Sequence, residues 1–320
     1  MNHSKVTFSN DDGEELSGYL ELPLNQEPHN YALFAHCFTC NKNFHAVKNI
    51  SRTLAKNGFG VLRFDFTGLG ESEGDFSDSN FSGNIQDLLS AAAFLKKEHK
   101  APSLIIGHSL GGAAAIFAAA ELPSIKAVTT IAAPSSPEHV IHLLKSDLEE
   151  IKEKGFATVD IGCREFTIKE QFLKDIKAKK LKDMVDDFQK AILIMHSPQD
   201  KIVGIENAEE IYLAARHPKS YVSLDGADHL LNDEKDSIYA GEVIAAWSSN
   251  YVEIPKRQIP ESDEQVVANL GNEGFTTQIK AGEHYFLADE PESEGGNDYG
   301  PTPYELISAA LAACTSMTIQ

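Results

Sequence analysis

Up to about residue 250 the chain alternates short apolar runs with longer stretches of helical spacing. Runs of four to six residues rich in β-branched and aromatic types occur at 31–35 (YALFA), 61–66 (VLRFDF), 103–106 (SLII), 127–132 (AVTTIA), 191–195 (AILIM) and 221–224 (YVSL). Such runs predict strands buried on both faces. Between them, Val47, Ile50 and Leu54 predict a helix over 45–57 that stops before Gly58, and Ile85, Leu88, Leu89 and Leu95 predict another over 84–97. Phe8 and the stretch 16–22 read as an antiparallel opening hairpin. Alternation of this kind predicts an α/β fold, a mostly parallel sheet with helices on both faces.

One block breaks the alternation. Residues 137–189 are far longer than a simple crossover needs. Val140, Leu143, Leu144, Leu148 and Ile151 form a helical stripe, ATVDIGCREFTI reads as two short strands around Gly162 and Cys163, and a second helix runs from about Lys169 to Gln189. An insertion of this length predicts a helical and hairpin lid at the carboxyl edge of the sheet. The lysines of KAKKLK are read as its solvated face. After Trp247 the composition changes. Residues 1–251 form the first domain and 252–265, with two prolines and little periodicity, a linker. Residues 266–320 begin a second, partial domain: strands at 266–270 and 275–280, an acidic Gly-rich loop, and an apolar helix from Tyr304 that the end of the sequence interrupts. The chain is expected to be a piece of a longer protein.

Charge narrows the partners. The 320 residues carry 28 Lys and Arg against 48 Asp and Glu, a net −20, and residues 251–320 alone hold 12 acidic and 3 basic residues. Such a chain repels phosphate backbones and anionic lipid surfaces, so neither nucleic acid nor membrane is an expected partner. The most apolar stretch, 110–120, is too short for a bilayer, and the N-terminal residues contain no apolar signal core. Four cysteines are too few for a disulfide framework and fit a reducing compartment. The expected location is the cytoplasm.

The chemistry centres on Gly107-His108-Ser109-Leu110-Gly111-Gly112, which follows the strand SLII and opens an Ala-rich helix. In that setting G-x-S-x-G predicts a nucleophile elbow, a sharp turn that presents Ser109 above the sheet and needs small residues on either side. A serine hydroxyl needs a base, and the base needs an orienting acid, in the chain order Ser, acid, His. Asp200 follows AILIM and His229 follows YVSL, each on a loop at a strand's carboxyl end. The predicted catalytic set is Ser109, Asp200 and His229. His108 is read as pointing elsewhere. Acyl transfer also needs oxyanion donors, assigned to the backbone N–H groups of Leu110 and of Phe38 in the loop His36-Cys37-Phe38-Thr39-Cys40.

These residues carry two resemblances. Residues 1–250 resemble an α/β-hydrolase through the His36 loop, RFDFTGLGES, GHSLGG, SPQD and ADH. Residues 266–320 resemble the start of the OsmC family, through Gly300-Pro301-Thr302-Pro303-Tyr304-Glu305-Leu306 and Ala312-Ala313-Cys314, so that the whole looks like a bifunctional hydrolase–OsmC fusion of bacteria. Two departures stand out. Cys37 occupies a position where the hydrolase pattern has glycine, and Tyr304 stands where the OsmC pattern has glutamate. The resemblance marks Cys314 as a candidate redox thiol and implies a homodimer through the OsmC-like part.

The first reading is thus a serine carboxylesterase acting on small acyl esters, with no cofactor and no metal. The alternative is a thiol-dependent, hydroperoxide-reducing protein in which the hydrolase domain is accessory, and a third is a non-enzymatic binding module. Cys37-x-x-Cys40 also matches a redox pair, and with His36 and His45 a zinc site, but there is no second Cys pair and the oxyanion loop accounts for the position. Gly68, Gly70 and Gly74 mimic a dinucleotide loop but open no apolar helix.

Overall fold

The structure, a computed structural model, describes residues 2–23, 27–144, 147–160, 165–179, 188–254, 264–270 and 274–319. Contacts divide the chain into two compact units, residues 3–22 with 28–254, and residues 255–320 with 1–2 and 23–27.

The larger unit is built on an eight-stranded sheet. In chain order the strands are β1 (Asn2–Ser9), β2 (Glu15–Leu22), β3 (Asn30–Ala35), β4 (Phe59–Phe64), β5 (Leu104–His108), β6 (Ala127–Ile131), then β9 (Ala191–His196) and β10 (Lys219–Ser223), after an insertion that holds β7 (Phe156–Asp160) and β8 (Glu165–Lys169). Across the sheet the order is β1-β2-β4-β3-β5-β6-β9-β10, antiparallel between β2 and β4 and parallel from β4 to β10. The alternation of side chains along a strand splits the core into two layers. Leu33 and Ala35 of β3 face the layer filled by α2 (Phe81–Glu98) and α3 (Leu110–Glu121). Ala32 and Phe34 face the layer filled by α1 (His45–Lys56) and by a C-terminal helix, Glu234–Ser248.

Boundaries shifted where polar groups took over. The run 61–66 predicted a strand through Phe66, but β4 ends at Phe64. The Asp65 N–H still reaches Ser17 O of β2 at 2.9 Å, but beyond it the chain turns as the Asp65 carboxylate accepts the backbone N–H groups of Lys42 (2.6 Å) and Glu71 (2.9 Å) and the Lys42 ammonium (2.5 Å). The strained turn that follows allows this: a Cβ on Gly70, at φ +59°, would lie 2.1 Å from the Asp65 carboxylate. The glycine run that mimics a nucleotide loop therefore serves a buried carboxylate. Helix α2 starts three residues earlier than its apolar spacing predicts, because Asn80 caps it by accepting the N–H of Gly83.

The insertion is a 3₁₀ turn (Pro137–Leu144), α4 (Leu148–Lys154), the antiparallel hairpin β7–β8 and α5 (Glu170–Ala178). The predicted first helix is thus split, its early part wound as 3₁₀ rather than α. The hairpin turn at Gly162 and Cys163, and residues 180–187 of the predicted second helix, lie outside the described residues, while Phe188 and Gln189 at its predicted end are not helical. The insertion is tied to the body by Asp175, which accepts both the backbone N–H (2.7 Å) and the hydroxyl (2.6 Å) of Ser82 at the start of α2. Lys169 pairs with Asp78 beside them. A further helix, α6 (Glu206–Ala214), lies between β9 and β10 in sequence, and Glu234–Ser248 is α7.

The smaller unit holds the antiparallel sheet β11 (Val266–Leu270), β12 (Thr277–Ala281) and β13 (His284–Ala288), followed by α8 (Pro303–Ile319). Strand β13 was not foreseen. Most of the predicted linker, 255–263, lies outside the described residues. Among the described residues no helix is long and apolar enough to cross a membrane.

One buried carboxylate gives a pH test. Asp87 on α2 accepts the N–H (2.9 Å) and hydroxyl (3.0 Å) of Thr67, yet burial pushes its carboxyl up from 3.8 to about 6. The folded state therefore holds this proton more tightly than the unfolded chain. That contribution is present at low pH and lost as pH rises from about 4 through about 6. Asp87→Asn removes the effect. In urea denaturation the variant is expected to gain about 2–3 kcal/mol on the wild type between about pH 4 and about pH 7.5. Parallel pH profiles would contradict the account.

Candidate active site

Three strand ends deliver the predicted residues to one place. Ser109 follows β5 at φ 55°, ψ −128°, a left-handed strain that a non-glycine residue adopts only where the surroundings impose it. Its backbone N–H is tied to Ile131 O of β6 at 2.8 Å. The flanking glycines permit the tight passage: a Cβ on Gly107 would meet Gly111 O at 2.2 Å, and one on Gly111 would meet His36 O at 2.3 Å. Helix α3 thereby starts against the end of β3. Leu110 is its first residue, so no carbonyl of its own helix takes that N–H.

Asp200 sits in the loop after β9 and His229 in the loop after β10. His229 Nδ1 donates to Asp200 Oδ2 at 2.7 Å, which fixes the proton on Nδ1 and turns the bare Nε2 toward Ser109 Oγ, 3.0 Å away. Ser109 is half-buried, whereas Asp200 and His229 are buried. Burial alone would raise the Asp200 carboxyl. The His229 hydrogen bond and charge, with the N–H groups of Val203 (3.0 Å) and Ile202 (2.8 Å), outweigh it and hold the group below its ordinary value. A hydroxyl, an imidazole and an ionised carboxylate joined in this order can pass the hydroxyl proton to the ring and stabilise the cation that forms.

Two buried histidines beside the triad were missed. His108, read as pointing away, contacts the site from behind: its Nε2 donates to His229 O at 2.7 Å and so holds the base loop. Burial, and then the charge of His229, lower it to about 3, so this ring stays neutral. His196, the last residue of β9, donates to Val203 O at 2.8 Å and steadies the turn whose amides hold Asp200. Their position after strands was legible; their partners, 121 and 7 residues away, were not.

The loop assigned to the second oxyanion donor is a turn. Cys40 N–H donates to Cys37 O at 3.2 Å, with Phe38 and Thr39 between them, and a disulfide joins Cys37 to Cys40. While the bridge is closed, the pair offers no thiolate. His36 locks the turn from the other side: its Nε2 accepts the Phe66 N–H at 3.4 Å and its Nδ1 donates to Cys37 O at 2.8 Å. The ring of Phe38 is buried between Phe76 (centroids 5.4 Å) and Phe172 of α5 (5.0 Å), and Phe76 continues to Phe166 of β8 (4.9 Å). Through this aromatic row the turn touches the insertion at α5 and β8. Cys314, the candidate redox thiol, is on α8 in the smaller unit, free and exposed.

Residues 27–161 match the family model described as serine aminopeptidase, S33. The crystal structure of the esterase domain of a Rhodothermus marinus protein is 49% identical in sequence, and the match covers 79% of this chain and 100% of that one, with a TM-score of 0.66. Est1E of Butyrivibrio proteoclasticus, solved with ferulic acid bound, is 22% identical over 77% of this chain and 99% of its own, with a TM-score of 0.64. The uncharacterized protein YfhR of Escherichia coli O157:H7 is 20% identical over 245 residues, 75% of this chain and 78% of that protein.

Proposed function

Because the chain belongs to the α/β-hydrolase family, we propose that it is a serine hydrolase of the carboxylesterase type, acting on small acyl esters through Ser109, His229 and Asp200. The observation that carries this reading is the unbroken chain of hydrogen bonds from Ser109 Oγ through His229 to Asp200. In the proposed reaction Ser109 Oγ attacks the ester carbonyl carbon as His229 Nε2 takes its proton. The negative charge that develops on the carbonyl oxygen is met by the N–H groups of Leu110 and Phe38, a contribution of about 2.7–4 kcal/mol for each donor in comparable sites. Collapse expels the alcohol, which His229 protonates, and water then releases the acid by the same route. Asp200 stays ionised and keeps the imidazole oriented.

The esterase reading is favoured over the peptidase description of the family model by the 49% identity to an esterase domain. The test is hydrolysis of p-nitrophenyl acetate, butyrate and octanoate alongside an aminoacyl p-nitroanilide, with fluorophosphonate labelling of Ser109. Ester turnover, with labelling and a silent anilide, is the expected result. Inert esters and an unlabelled Ser109 in folded protein would remove the reading.

For the smaller unit, the OsmC-type alternative would place its chemistry on the exposed thiol of Cys314. That alternative predicts hydroperoxide reduction that survives loss of Ser109 and fails in Cys314→Ser.

A further inference from the structure

We propose that Cys37 and Cys40 form a thiol–disulfide exchange site, open to small dithiols, whose redox state sets how well the neighbouring turn supports acyl transfer; the second half of this proposal rests on the hydrolase reading above. The bridge spans a separation of only three residues. Closing so small a loop removes little entropy from the unfolded chain, so the bridge contributes little to holding the fold together. Its effect is local. It joins the first and last residues of the four-residue turn whose second residue is Phe38, and so restricts the backbone that carries the Phe38 N–H. That turn leaves the end of β3 at the point where Gly111 of the elbow helix packs on Ala35 and His36.

The two sulfurs differ in access. Cys37 is buried, at 6% exposure, whereas Cys40 is half-buried. A thiolate of a small dithiol therefore attacks Cys40 Sγ, forming a mixed disulfide and expelling Cys37 as its thiolate, which takes up a proton. The second thiol of the reagent then attacks its own sulfur of the mixed disulfide and releases Cys40. The dithiol is oxidised to a cyclic disulfide and the protein gains two electrons and two protons. A small-molecule disulfide such as oxidised glutathione reverses the change.

Reduction does not dismantle the turn. The Cys40 to Cys37 hydrogen bond and the His36 contact remain. The donor loosens rather than departs, so the loss is a fraction of the 10²- to 10³-fold that follows removal of an oxyanion donor, about three- to tenfold in kcat. KM is expected to change by less than about twofold, because the donor acts mainly in the transition state.

The experiment uses the full chain poised with dithiothreitol or oxidised glutathione. Differential alkylation and mass analysis of the peptide holding both cysteines read the bridge. p-Nitrophenyl acetate kinetics and the rate of fluorophosphonate labelling read the site. The expected result is a bridge that opens in folded protein, with kcat and labelling falling together and recovering on reoxidation. A Cys37→Ser/Cys40→Ser double variant is expected to sit at the reduced level and to ignore the reductant. A bridge that never forms, that resists dithiols in folded protein, or that opens with kcat unchanged overturns the proposal. If the bridge cycles but no ester is hydrolysed and Ser109 is never labelled, the exchange chemistry stands and the hydrolase reading, with the coupling built on it, is what has failed.

Discussion

Ser109→Ala is expected to lower p-nitrophenyl ester turnover by about 10⁴- to 10⁶-fold in kcat, to the residual level that binding and oxyanion donors supply without a nucleophile. The substitution is a clean one. Alanine keeps the Cβ, so the strain at φ 55° is the same in both proteins. The Ser109 N–H keeps Ile131 O, and Asp200 still holds His229 at 2.7 Å. Only the Oγ contact to His229 is lost, and stability is expected to change by less than about 1 kcal/mol. Unchanged thermal unfolding with lost turnover is therefore the signature to look for. Retained turnover in a folded variant would move the nucleophile elsewhere.

Lys42→Met is expected to have the largest effect on stability. Lys42 is fully buried, and its ammonium meets Asp65 at 2.5 Å and Glu71 at 2.8 Å. Arg63 closes the cluster, donating to Lys42 O at 2.6 Å and to Glu21 at 2.7 Å. Methionine fills much of the volume but leaves the Asp65 carboxylate buried with two amide donors and no cation within the pair. Breaking a buried pair from one side costs about 3–5 kcal/mol, because the remaining charge is uncompensated. Adding Asp65→Asn should recover part of that loss, so the double variant is expected to be less destabilised than the two singles summed. Urea denaturation of the three variants measures this, and additive losses would show that the two groups do not depend on each other.

The elements that could be read from the sequence are those whose signal is local. Each of Ser109, Asp200 and His229 follows its own apolar run, and a strand end needs no partner to be recognised. The order of strands was different. Nothing in YALFA says that β3 lies between β4 and β5, because pairing is settled by tertiary packing rather than by the run itself. Lys42 reads as one more lysine in a polar loop, and only the fold brings Asp65 and Glu71, 23 and 29 residues away, to it. His108 was misjudged for the same reason. The 3₁₀ winding at Pro137–Leu144 was hidden because the i, i+4 spacing of Val140 and Leu144 is that of an α-helix, and the residues themselves do not announce the tighter winding. Strand β13 was missed because its first three residues are exposed, which leaves no buried alternation to detect.

Helix α3 shapes how this enzyme can change over evolutionary time. From Leu110 to Ala119 every residue is buried, and most are alanine or glycine. Such a helix has no solvent side on which substitutions can accumulate, and each added methylene pushes against close-packed neighbours. Since Ser109 is fixed to the first turn of this helix, growth there would displace the hydroxyl from His229. Neutral substitutions are therefore expected to gather instead on elements with a solvent side, such as the exposed face of α5 and the outward positions of β7 and β8, which can vary without moving the reacting atoms.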